Sequence, residues 1–84
     1  MIIKIENENH FIIYEFNTDS KDLKIIKNNG DNVLNAIFKD KDYDSFVSWL
    51  RSRVGGLSLK EILEIAKENE LKSIKDNIKV KILN

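Results

Sequence analysis

The chain has 84 residues, with 14 basic and 14 acidic side chains and neither cysteine nor proline. That length predicts one domain over residues 1–84, burying only ~60–65% of its unfolded surface and therefore thin in stability. Zero net charge gives no bulk attraction to nucleic acid, anionic membrane or acidic partners, and the missing thiols exclude disulfides, thiolate metal sites and a cysteine nucleophile.

In chain order, "IIKIE" (2–6) and "FIIYEF" (11–16) are β-rich runs that predict an antiparallel hairpin, with the polar "NENH" between them as a loop of about four residues. Alternation places Ile3 and Ile5 on one side of the first strand and Ile2, Lys4 and Glu6 on the other. "NTDSKD" (17–22) reads as a loop of short polar side chains that bond their own backbone, and "LKIIK" (23–27) as a third strand. Residues 28–39 carry two competing signals. Asn29-Gly30 is a strong hairpin dipeptide and would set Ile25 opposite Leu34. "NVLNAIFK" (32–39) instead places Val33, Leu34, Ile37 and Phe38 on one helical side with Asp31 as cap, and Asn, Ala and Lys tilt the reading to the helix.

Tyr43, Phe46, Val47, Leu50 and Val54 recur at helical spacing and predict a helix over 43–54, with Asp42 or Asp44 as N-cap. Gly55 follows where a helix ends in a left-handed residue, and Arg51 and Arg53 in the last turn favour the helix dipole. "SLKE" is a capping box from Ser58 to Glu61, with Leu57 and Ile62 as the hydrophobic staple of a helix over 59–68. Its stripe of Leu59, Ile62, Leu63 and Ala66 predicts core, while Ile65 lies off it. "IKVKIL" (78–83) alternates Ile78, Val80 and Ile82 against Lys79 and Lys81 as a half-buried strand, expected to pair with residues 2–6. Its outward lysines are of the kind that discourage edge-to-edge pairing. The predicted fold is α+β, an antiparallel sheet of three to four strands packed on one face by two or three helices.

Motifs that carry chemistry are few. Gly55-Gly56 matches neither phosphate-loop pattern and follows a helix, so it reads as a helix stop. Asp40, Asp42 and Asp44 alternate like the start of a calcium loop, but the sixth and twelfth positions hold Ser45 and Arg51 in place of glycine and a carboxylate. His10 is the only histidine and falls in a predicted turn. The serines have no evident base. The expectation is no enzyme, no metal and no cofactor.

Trp49 falls about 60° off the edge of its helix's buried stripe, at ~100° per residue, with Arg53 four residues on. One reading closes the core margin with Trp49 while Arg53 stacks on it. The other makes Trp49 and Arg53 a partner-binding pair, since both types are enriched in hot spots. A run of lysines, Lys72, Lys75, Lys79 and Lys81, supports an alternative, a winged-helix-like nucleic-acid binder. Against that alternative, Glu61, Glu64 and Glu68 accompany only Lys60 and Lys67 on the polar face of the second helix, and phosphate would repel them.

Ile, Lys and Asn supply 35 residues. Their AT-rich codons suggest a bacterial, phage or plasmid gene. Residues 1–10 lack a secretory signal and no apolar run nears the ~18 residues of a membrane span, so a cytoplasmic location is expected. The functional expectation is a small protein-interaction module acting on another protein, such as an inhibitor from a phage or mobile element in the anti-defence (anti-CRISPR-like) manner, with nucleic acid the alternative partner.

Overall fold

The computed structural model describes residues 1–73 and 75–84. The strands are β1 (Ile2–Asn7), β2 (His10–Asn17), β3 (Asp22–Asn29), β4 (Leu71–Lys72) and β5 (Lys79–Ile82), and the helices are α1 (Asn32–Phe38), α2 (Tyr43–Arg53) and α3 (Leu59–Glu68). All strand pairs are antiparallel, in the order β3-β2-β1-β5-β4. The class is α+β as expected, with five strands where three to four were predicted. The extra one is β4, two residues long and too short to show any period in sequence.

The β1–β2 loop is shorter than predicted. Asn7 pairs with His10, leaving a two-residue turn whose first member, Glu8, has φ of 56°. Positive φ there matches the right-handed twist of the strands it joins. β5 pairs with β1 as anticipated, Ile5 opposite Val80 and Ile3 opposite Ile82. The long open edge of the sheet is β3, which carries Lys24 and Lys27 and is interrupted by a bulge.

Residues 32–38 are helical, and the hairpin at Asn29-Gly30 does not form. Asp31 caps α1 by accepting from the Leu34 N–H at 2.9 Å. Asn28 Nδ2 donates to Asn35 Oδ1 at 2.6 Å, and Asn35 Nδ2 donates to the Gly30 carbonyl at 3.2 Å, tying the end of β3 to the helix. Gly30 is favoured by space, not by φ: a Cβ there would lie 3.1 Å from Ile12 Cγ1 and 3.2 Å from Leu34 Cβ, so the neighbours would have to give by a few tenths of an ångström. The dipeptide is thus a close approach between strand and helix.

α2 is capped by Asp42, which accepts from the Ser45 N–H at 2.8 Å, and α2 gives way to Gly55 at φ 77°. Ser58 and Glu61 form the predicted capping box. All three helices lie on one face of the sheet, where Ile3, Ile5, Ile12, Tyr14, Phe16, Val80 and Ile82 are buried against Leu34, Phe38, Phe46, Trp49, Leu50, Ile62 and Ala66. Phe46 sits at the centre, with ring centroids 5.4 Å from Tyr14, 5.7 Å from Phe16, 6.4 Å from Phe38 and 6.2 Å from Trp49. Phe46→Ala is expected to cost about 3–5 kcal/mol and Ser58→Ala about 1 kcal/mol, readable as the difference in urea midpoints.

Candidate functional site

Trp49 is 5% exposed. Its ring meets Phe38 edge-on at 4.9 Å and its Nε1–H is buried without a partner among the described residues. Arg53 turns elsewhere: its Nε donates to Asp76 Oδ2 at 2.6 Å, pinning the turn before β5 to the end of α2. The described cation–π contacts involve Phe11 and Phe38, not Trp49. The structure therefore sends the two candidates in different directions, one into the core and one into an ion pair, and leaves Trp49 almost no surface to offer a partner.

Three of the four candidate lysines converge. β4 and β5 form a hairpin in which Lys72 lies opposite Lys79, and Lys81 follows two residues on, facing the same way. Lys75 sits apart in the exposed turn. These side chains point away from α3, because Val80 and Ile82 occupy the helix-packed side. A helix inserted in a groove and lysines gripping the same duplex beside it are therefore not built on one surface.

What receives them is the other face of the sheet, which none of the described helices covers. Strand register sorts its residues into rows. Lys27, Ile13, Lys4 and Lys81 lie side by side across β3, β2, β1 and β5. Next to them run Asn29, Phe11, Glu6, Lys79 and Lys72. On the other side lie Lys24, Glu15 and Ile2, with Leu83 donating its N–H to the Ile2 carbonyl. Asp22 ends the face beyond them, beside Asn17.

The face thus carries six lysines (Lys4, Lys24, Lys27, Lys72, Lys79, Lys81) against four carboxylates (Glu6, Glu15, Asp22 and, reaching Lys79 from just before β4, Glu70). Since the chain is balanced at 14 and 14, eight cations and ten carboxylates are left for everything else. The protein has no net charge, but its charge is segregated.

Two features of this face run against ordinary sheet design. Lys4 lies directly opposite Lys81, and Lys72 opposite Lys79, although facing like charges destabilise a ladder. Glu6, 2.8 Å from Lys4, and Glu70, 3.4 Å from Lys79, relieve part of this; Lys24, Lys27, Lys72 and Lys81 have no ion-pair partner among the described residues. The second feature is the bulge. Tyr14 pairs with Ile25 but Ile13 pairs with Lys27, so Ile26 is an extra residue in β3. Unbroken alternation from Leu23 and Ile25 would aim Lys27 at the helices. The bulge reverses it, and Lys27 Nζ comes 5.7 Å from the Phe11 centroid, with Lys4 Nζ at 5.4 Å. Bulges often re-aim side chains in this way.

Phe11, Lys4, Lys24 and Lys27 were not singled out by sequence reasoning. The outward parity of Lys4 was visible, but Lys27 falls on the wrong parity until the bulge is known. No protein-family model, no curated protein and no solved structure matches the chain.

Hydrogen bonding from Lys4 holds the Glu6 carboxyl below its usual range, against a smaller opposing effect of burial. A carboxylate shifted down stabilises the fold above its unfolded pKa and loses that contribution as pH falls through the folded one. A carboxyl NMR titration should place Glu6 below the ~4.3 of free glutamate, and Lys4→Met should raise it. Trp49 emission should be blue-shifted and weakly quenched by acrylamide until the chain unfolds, which a surface tryptophan would not show.

Proposed function

We propose that the protein works by binding rather than catalysis, using the uncovered face of its sheet to hold an anionic surface of a macromolecular partner. The observation that carries this reading is the segregation of six lysines against four carboxylates onto one face of a chain with no net charge. Two lysine pairs face each other directly there, a local cost that an anionic partner would relieve. The sequence suggests first a protein partner, with the chain acting as an inhibitor of phage or plasmid origin; on this face such a partner would have to present carboxylates. The three convergent residues Lys72, Lys79 and Lys81 favour a nucleic acid instead, held on the sheet and not through a winged helix.

Heparin, a defined polyanion, tests the face independently of partner class. The Lys4→Glu, Lys27→Glu, Lys81→Glu variant is expected to elute from a heparin column at clearly lower salt than the native chain. A control with the same charge change on the helical side, Lys39→Glu, Lys60→Glu, Lys67→Glu, should elute close to native. Equal loss in both variants would make the retention a matter of net charge and remove the face as a site.

A further inference from the structure

Resting on the reading of the sheet as the binding face, we infer that its ligand is single-stranded nucleic acid, with Phe11 stacking on a base and Lys4, Lys27 and Lys81 meeting phosphates. Four observations lead there. The first is the kind of cation. The face carries only lysine, which is depleted at protein–protein interfaces, where tyrosine, tryptophan and arginine are enriched. Most residues of those types are taken up elsewhere: Tyr14 and Trp49 are buried, Tyr43 stacks on Phe16 at 4.9 Å, and Arg53 is paired with Asp76, while the exposed Arg51 belongs to α2 and not to this face.

The second is the pairing of an aromatic ring with cations. Phe11 lies on β2, one strand in from the open edge, half-buried, with ammonium groups at 5.4 and 5.7 Å. A base stacks on such a ring whatever its identity, and lysines beside it track the backbone. Asn29, directly across from Phe11, adds an amide that both donates and accepts.

The third is shape. Five strands at ~4.8 Å spacing span roughly 19 Å, wider than the ~12 Å major groove, so this face enters no duplex groove. A single strand can lie flat on it, and the row from Lys27 to Lys81, roughly 14 Å long, suits the two or three bases that sheet-based RNA binders stack.

The fourth is the bulge at Ile26, without which Lys27 would not stand beside Phe11. A device that costs ladder pairing and delivers one cation to one ring fits a ligand better than a solubility role.

The test uses fluorescein-labelled oligo(dT) and oligo(U) of about twelve nucleotides, within the 4–16 typical of such sites, followed by anisotropy against salt. Binding is expected to weaken with salt at a log–log slope of about −2 for three phosphates, and Lys81→Ala should lower that slope by about 0.7. Phe11→Leu should weaken binding roughly fivefold to a hundredfold and Phe11→Tyr should restore it. Unchanged Trp49 emission would confirm that these surface variants remain folded. A duplex of equal length should compete poorly.

Equal competition by duplex together with indifference to Phe11→Leu would overturn the inference, leaving only diffuse charge attraction. Binding of poly-L-glutamate but not of either oligonucleotide, lost in the Lys4→Glu, Lys27→Glu, Lys81→Glu variant, would also overturn it while sparing the anionic-partner reading. If none of these polyanions bound at low salt, both would fall.

Discussion

The contact between Phe46 and the rings of Tyr14, Phe16, Phe38 and Trp49, at centroid separations of 5.4 to 6.4 Å, joins α2 to the centre of the sheet and to α1 at once. A domain of this size has little apolar volume, and here nearly all of its large rings sit on one side of β1, β2 and β5. Burial pushes the Tyr14 hydroxyl far above its ordinary range, because no charged form is tolerated in that layer. The one-sidedness has a consequence. With three helices gathered on one face, none remains to cover the other, and that second face must be made compatible with water.

Compatibility with water does not require the charge pattern seen there. An alternation of lysine and glutamate across neighbouring strands would be soluble and would add cross-strand attraction. The chain instead places Lys4 beside Lys81 and Lys72 beside Lys79, and moderates the repulsion with Glu6 and Glu70. Such departures from local consistency tend to mark places where something other than folding is being satisfied. Edge protection accounts for part of the lysine content, since β3 is the long open edge and carries Lys24 and Lys27. It does not account for Lys4 on β1, which is paired on both sides.

Trp49 and Arg53 show how a residue type associated with interfaces can be absorbed by folding. Trp49 extends the aromatic cluster from Phe46 to Phe38, and its Nε1–H, without a partner among the described residues, is the polar cost of using so large a ring in a small core. Arg53 links α2 to the turn that leads into β5, where the Asp76 N–H also donates to Ser73 Oγ at 3.3 Å. Arg53 thereby ties the turn of the C-terminal hairpin, which carries the lysines of β4 and β5, to the end of α2.

The sequence by itself determined most of the elements, because their causes are local. Asp31, Asp42 and Ser58 cap helices through backbone groups three residues away, Gly55 ends one through its own φ, and the alternation in β1, β2 and β5 fixes which side of each strand is apolar. Only the tertiary structure decided the rest. Asn29-Gly30 obeyed the helix that Asn28, Asp31 and Asn35 assemble, and not its hairpin propensity, because side chains seven residues apart had to meet first. β4 exists only because β5 is there to pair with it. The basic face is the clearest case: its lysines come from four strands at the two ends of the chain, β1, β3, β4 and β5, one of them turned outward by a bulge. Charge summed along a sequence is blind to a sorting that happens across strands.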